Sequence, residues 1–173
     1  MLLVLLVLNF NVSAAPHEFS LEETDYELSP MVYDLEELLK MANARASVEG
    51  RLVLETAVSM IENQEIVIGS CWDYINAIYD RAGYPQRRRE TNFKSKQAGP
   101  YVELEQIGPG DWLYFINHSY NNVEHSAVFV EWIDFDSKEA LTIAYSGGNK
   151  PVPARYKTYD LSSVYNIIRA KSN

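Results

Sequence analysis

Cys71 is the single cysteine of the chain and its strongest nucleophile by residue type. The thiolate form attacks a carbonyl carbon, whereas a free thiol with a pKa of about 8.5 is mostly protonated at neutral pH. A catalytic cysteine therefore needs a local positive potential and a base that accepts its proton. We predict that Cys71 is a nucleophile. The alternative is the small buried hydrophobic residue that a lone cysteine often is.

Three histidines are candidates for the base. His17 lies in a polar stretch near the N-terminus, and His118 lies in the turn-like sequence NHSYNN, where exposure is the ordinary expectation. His125 opens the strongly apolar run HSAVFVEW, a place where an imidazole is unusual unless it faces a pocket. We predict that His125 is the base. The alternative is a strand histidine whose nitrogens are satisfied within the fold.

Neither a metal site nor a cofactor is expected. The histidines and the cysteine do not recur at the spacing of metal ligands, and neither HExxH nor CxxC occurs. Gly147-Gly148 does not lead into the Lys and Ser or Thr of a phosphate-binding loop. Asp111, in Pro-Gly-Asp, is expected to be a turn residue that leads into a strand, with a catalytic role as the alternative.

The net charge of −9 argues against a nucleic-acid partner. The basic cluster is Arg87-Arg88-Arg89, which we expect to lie in a solvated loop; the alternative is a contact with an anionic group of a substrate. The sequence does not determine the oligomeric state.

Residues 1–14 predict a secretory signal peptide, because an apolar run of residues 2–8 is followed by small residues. The run is much shorter than the about 20 residues of a membrane span, so no integral span is expected after processing. A buried helix or strand is the alternative. Residues 15–30 are an acidic lead-in, and residues 31–173 form one domain. We therefore expect a periplasmic or extracellular protein, in which a single thiol cannot close an internal disulfide.

Three helices are predicted in the first half of the domain, over residues 31–44, 47–63 and 70–81. The third is well marked: Ser70 is suited to the N-cap, with Asp73 three residues later as a carboxylate variant of the capping box. Gly83 and Pro85 end this helix. Cys71 thus falls in the first turn, where unpaired backbone N–H groups stabilise negative charge.

Four strands are predicted in the second half, over residues 111–117, 124–132, 141–146 and 164–170, which are rich in β-branched and aromatic side chains. A polar connection spans residues 86–110. Helices followed by strands predict an α+β domain in which the helices pack on an antiparallel sheet. Aromatic side chains at strand spacing are expected in the core, with a place in the cleft as the alternative for some: Trp112, Tyr114, Phe115, Phe129 and Trp132.

Three stretches in this order resemble the NlpC-like and CHAP-like cysteine peptidases, a superfamily of papain-fold amidohydrolases. GSCWDYINAIYDRAGY is similar to their nucleophile helix, and IGPGDWLYFINH to their Pro-Gly-Asp strand. EHSAVFVEW is similar to the following strand, which begins with the catalytic histidine. The sequence differs from the family in having Trp72 and Asp73 after the nucleophile, where Ser-Gly is usual.

The resemblance implies a papain-like core and hydrolysis of a peptide, γ-glutamyl or peptidoglycan-stem amide through a thioester. Cys71 would attack, His125 would transfer the proton, and Tyr145 would orient the imidazole. Further candidates for contacts with the oxyanion or the substrate are Ser70, Trp72, Ser146 and Asn149. Two alternatives stay open. One is a catalytically silent papain-like module that binds wall peptides or a partner protein; the other is an enzyme that cleaves an acyl or thioester bond.

Overall fold

The computed structural model describes residues 30–148 and 152–172, so the predicted signal peptide and nearly all of the acidic lead-in lie outside the described residues. Helix α1 spans Pro30–Arg45, α2 spans Val48–Glu62 and α3 spans Cys71–Arg81. Ser47 caps α2, its hydroxyl accepting from the Gly50 N–H at 3.0 Å. The three predicted helices are confirmed. Within the described ranges, none of the helices has the length and apolar character needed to cross a membrane.

Six antiparallel strands form one sheet in the order β1-β6-β2-β3-β4-β5. The strands are β1 (Arg89–Lys94), β2 (Trp112–Asn117), β3 (Val123–Asp134), β4 (Glu139–Ala144), β5 (Arg155–Asp160) and β6 (Val164–Ala170). The prediction of an α+β domain with helices on an antiparallel sheet is confirmed. Strands β1 and β5 were not predicted; both are edge strands with mostly exposed side chains, so they lack the apolar alternation that marks a strand.

The two faces of the sheet bury different sets of side chains. One face packs against the helices, where Trp112, Val128 and Ile143 meet Tyr74 and Ile78 of α3. The opposite face is covered by the connection before β2 and by the turn before β6, and its buried side chains include Leu113, Phe115, Ala127, Phe129, Val102 and Leu161. Four of the five predicted core aromatics are buried, and Tyr114 is half-buried.

Arg89 corrects the prediction of a solvated basic loop. Its side chain is 7% exposed and ion-pairs with Asp80 of α3 at 2.7 Å. The guanidinium also donates to the Tyr84 carbonyl at 2.6 Å and to Asn76 Oδ1 at 2.8 Å. The chain turns back beside α3 after Pro85, and this turn brings Arg89 onto the helix that precedes it. Arg89 is thus a structural link between α3 and β1, whereas Arg87 is exposed.

Two glycine backbones touch where α2 meets the turn before β2. Gly110 has a φ of +91°, and a Cβ on it would stand 2.5 Å from the Gly50 Cα. The Pro109 carbonyl oxygen would be 2.3 Å from a Cβ on Gly50. The close approach fixes α2 against the sheet and leaves no room for a side chain at position 110.

Replacing Gly110 with alanine is therefore expected to lower the free energy of unfolding by about 3 kcal/mol or more, through positive-φ strain and overpacking together. Gly83 is the matched control, because its φ is +89° but nothing lies within 4 Å of its Cβ position. Gly83→Ala should cost only the strain, about 1–2 kcal/mol. Urea unfolding of both variants measures the difference, and equal losses would show that the contact at Gly110 is unimportant.

Candidate active site

Cys71 is the first residue of α3, and its side chain is partly exposed. Ser70 precedes it as the N-cap, and the Asp73 carboxylate accepts from the Ser70 backbone N–H at 2.7 Å and from its hydroxyl at 2.8 Å. These two hydrogen bonds, the backbone one first, lower the pKa of Asp73. The predicted pairing of Ser70 and Asp73 is confirmed. It holds the sulfur at a helix N-terminus, where the helix dipole favours an anion.

The loop after β4 also contacts the residues just before α3. The Gly148 N–H donates to the Gly69 carbonyl at 2.9 Å. Gly147 has a φ of +64°, and a Cβ on it would stand 2.7 Å from the Ser70 Cα. Ala144, the last residue of β4, pairs with Ala127 of β3. Cys71 is therefore held at the end of the sheet where β3 begins.

His125 lies at that same end, but its ring is on the face of the sheet opposite α3. It makes an edge contact with Phe115 at 5.7 Å between ring centroids, and it packs on Tyr159 at 5.4 Å. Phe115 and Tyr159 both belong to the apolar cluster on the face away from the helices. Among the described residues, no hydrogen bond joins His125 to Cys71.

The pKa of His125 is lowered to about 4, chiefly by burial and further by the positive charge of Lys157. The imidazole is consequently neutral at neutral pH, which is the form that accepts a proton.

This lowered pKa predicts an acid-sensitive contribution to stability. An unfolded histidine titrates near about 6.5. The contribution of the buried neutral ring is thus complete above that pH and is lost as pH falls towards 4. Between pH 7 and pH 4.5 the wild-type protein should lose about 2 kcal/mol more than His125→Gln, which cannot titrate. Urea unfolding across this range measures the difference, and parallel curves for the two proteins would contradict the burial of a neutral ring.

The other residues proposed for the site are not gathered around His125. The Tyr145 hydroxyl donates to the Val67 carbonyl at 2.7 Å, and its ring stacks on Tyr74 on the helix-facing side, so the structure does not place Tyr145 against the imidazole. Ser146 is exposed just after β4. Asn149 lies outside the described residues. The Ser70 hydroxyl donates its hydrogen to Asp73, so towards a ligand its oxygen can act only as an acceptor.

Trp72 is 47% exposed, and its ring lies 5.7 Å from that of Trp112. It extends the aromatic surface of the sheet towards solvent beside the thiol. His118, which the sequence placed in an exposed turn, is exposed there and pairs with Asn122 at 2.9 Å.

The charge of Cys71 contributes to raised pKa values of two tyrosines: Tyr114, which was expected in the core or the cleft, and Tyr159, which sequence reasoning did not single out. Burial raises the pKa of Tyr114 to about 12. Hydrogen bonding with Trp72 lowers this pKa, and the negative charges of Glu124 and Cys71 raise it further. Burial also raises the pKa of Tyr159, with Arg155 opposing it and the Cys71 charge adding to it. The Tyr159 ring also packs on His125.

The strand periodicity places Tyr114 on the helix-facing side, because it follows Trp112 by two residues along β2 and side chains two apart in a strand share a face. No such signal exists for Tyr159, which lies on the edge strand β5.

Metal ligands are not gathered at this end of the sheet: within residues 30–148 and 152–172, no three His, Cys, Asp or Glu side chains are grouped as a metal site. No family model matches the sequence, and no curated protein matches it significantly. The interpretation of the site therefore depends on its own geometry and on the chemistry of Cys71 and His125.

Proposed function

We propose that this protein is a cysteine hydrolase that cleaves an amide bond through a thioester intermediate. The observation that carries the proposal is the position of the thiol: Cys71 is the first residue of α3, partly exposed, and held where β3 begins. A helix N-terminus stabilises the thiolate, and partial exposure gives a substrate access to it. A lone cysteine with only a packing role would not need this position.

The reaction requires proton transfer at two points. A neutral His125 accepts the Cys71 proton, and the thiolate then adds to the amide carbonyl carbon. As the tetrahedral intermediate collapses, the C–N bond breaks and the imidazolium gives its proton to the departing amine. Water, deprotonated by His125, then attacks the thioester, and the thiol takes up the proton as the acid product leaves.

His125 must change its position for this chemistry, since its ring packs on Phe115 and Tyr159. Because the ring lies on the face of the sheet opposite α3, rotation of the side chain alone is not enough: the start of β3 must also shift so that the imidazole passes the end of the sheet towards the sulfur. Hydrogen bonds of catalytic pairs often form fully only when substrate is bound.

The substrate class follows from the resemblance of the sequence to the NlpC-like peptidases. We propose a papain-like core that acts on a peptide, a γ-glutamyl bond or a peptidoglycan stem, outside the cell membrane. The three helices on a six-stranded antiparallel sheet are compatible with that core. Export of the protein through a signal peptide is part of the same proposal.

One observation favours a second candidate function, a catalytically silent module that binds peptides. His125 is packed against two aromatic rings and makes no hydrogen bond with Cys71 among the described residues. A protein that never moves this ring would retain the partly exposed start of α3 without the proton transfer.

The reactivity of the thiol separates the two functions. Iodoacetamide alkylation at pH 6 should be at least about 10-fold faster for the folded protein than for the same chain unfolded in guanidinium, because only a stabilised thiolate reacts well at that pH. The unfolded chain is a matched control, since it contains the same single thiol. Equal rates would indicate the silent module. Digestion of purified peptidoglycan, with the released fragments identified by mass, would then define the bond that is cut.

A further inference from the structure

A cavity of about 370 Å³ lies between the first two turns of α3 and the edge strand β1. Small-molecule sites usually have volumes of about 300–1,000 Å³. Trp72 and Asn76 of α3 form one wall of the cavity, and Trp112 and Ile168 of the sheet also line it. Trp72 directly follows Cys71 in the chain, so the cavity begins one residue from the thiol.

Two indole rings form the apolar part of the cavity. The ring centroids of Trp72 and Trp112 are 5.7 Å apart, and their planes are inclined at 54°. Trp112 is 1% exposed, whereas Trp72 is 47% exposed. Ile168 pairs with Trp112 across the two strands and extends the apolar surface. A flat ring that enters this corner can stack on one indole and present its edge to the other, and these are the two arrangements that aromatic rings prefer.

Of the described side chains that line the opposite wall, none brings an unpaired charge into the cavity. Arg89 is bound to Asp80 at 2.7 Å. Glu90 stands between Arg89 and Thr91, which both face the helices, and side chains alternate along a strand. The Glu90 carboxylate therefore points to the other face of the sheet, where Glu90 pairs with Arg169. A neutral ring suits such a cavity, because a charged group would lose its hydration there without gaining an unpaired opposite charge.

We propose that this cavity is a substrate subsite that takes an aromatic side chain of a peptide, one or two residues from the amide bond that Cys71 attacks. The inference rests on the proposed function, and it narrows the peptides of that function to those with an aromatic residue near the bond that is cut. The Cα atoms of Cys71 and Trp72 are about 3.8 Å apart, and an extended peptide advances about 3.3–3.6 Å per residue. A side chain so close to the reacting carbonyl can reach the indole.

The test compares the rates at which three reagents alkylate Cys71: N-(2-phenylethyl)-, N-(2-cyclohexylethyl)- and N-ethyl-iodoacetamide. In each reaction the thiolate displaces iodide and forms a thioether. The ratio of two rates reports the binding of the arm, whereas the absolute rate reports the reactivity of the thiol. The phenylethyl reagent should react at least about 10-fold faster than the ethyl reagent. It should also react about 3-fold faster than the cyclohexylethyl reagent, because only the phenyl ring gains aromatic pairing.

Three variants assign the selectivity to the cavity. Trp72→Ala should lower the phenylethyl-to-ethyl ratio to below about 3, since it removes one side of the aromatic corner. Ile68→Ala is the matched control and should keep the wild-type ratio, because Ile68 is 97% exposed, lies three residues before Cys71 and is outside the cavity lining. Thr91→Phe fills the cavity from the exposed edge strand and should lower the ratio without any change in α3.

Each result separates this inference from the proposed function. Equal phenylethyl and ethyl rates would overturn the subsite, and the nucleophile proposal would still stand if the folded protein reacts with iodoacetamide at pH 6 faster than the unfolded chain. Equal phenylethyl and cyclohexylethyl rates would overturn the preference for an aromatic side chain. Selectivity for the phenylethyl arm at a thiol that reacts no faster than in the unfolded chain would support the aromatic site and overturn the hydrolase.

Discussion

Cys71→Ala is expected to reduce amide cleavage by at least about 10³-fold, because the change removes the atom that bonds to the substrate. The fold should be unaffected, since the side chain is small and partly exposed. The rate of fragment release from peptidoglycan measures the loss of activity, and urea unfolding checks that the free energy of unfolding changes by less than about 1 kcal/mol. A Cys71→Ala protein that still cleaves at the wild-type rate would end the proposal.

His125→Ala should cause a comparable loss, because a nucleophile and its base act as one unit and their effects do not add. His118→Ala is the matched control. His118 is also a histidine, but it lies in the exposed turn before β3 and pairs with Asn122. Retained activity in both histidine variants would show that the thiol finds its base elsewhere.

Arg169→Met is expected to produce the largest loss of stability, about 3–5 kcal/mol. Asp111 is 1% exposed, and its carboxylate accepts from Arg169 Nε at 2.7 Å and from the Gly108 N–H at 2.8 Å. Burial raises the pKa of Asp111, and the Arg169 hydrogen bonds and charge oppose that rise. Without the guanidinium, the carboxylate would be an unpaired buried charge. Urea unfolding at pH 7 measures the effect.

The reverse change, Asp111→Asn, should cost less, since the Arg169 side chain is 32% exposed and can turn to water. The loss in the free energy of unfolding that Arg169→Met causes should also become smaller as pH falls. Its Asp111 has a pKa raised above that of the unfolded chain, so the folded state binds the proton more readily and acid favours folding. Equal losses for the two variants, independent of pH, would contradict this account of the pair. The same pair confirms Asp111 as the structural residue that leads into β2.

The placement of Cys71 at the start of α3 could be predicted because its determinants are local. Ser70, Asp73, Gly83 and Pro85 mark both ends of one helix, and these signals act within a few residues of each other. The side of the sheet that His125 faces could not be predicted in this way. In β3 both alternating sets are apolar or small, with Ala127 and Phe129 on one face and Val128 and Val130 on the other. A strand buried on both faces has no periodicity that assigns a histidine to either.

The hydrogen-bond partner of the Tyr145 hydroxyl could not be predicted from the sequence either. Tyr145 was expected to orient His125, but the loop before α3 supplies the Val67 carbonyl as the acceptor of its hydroxyl. Which acceptor a tyrosine finds depends on packing between distant segments. The edge strands β1 and β5, with their exposed polar side chains, are held by pairing with β6 and β4 rather than by a pattern of their own.

The contact of Gly147 with the backbone of Ser70 restricts how this protein can diverge during evolution. A descendant that keeps the thiol in use must keep glycine at position 147, even if every residue that touches substrate changes. Gly148, with open space around its Cβ position, faces no such steric restriction. A small residue far along the chain from the cysteine is thus a more durable mark of common ancestry than the aromatic residues beside α3.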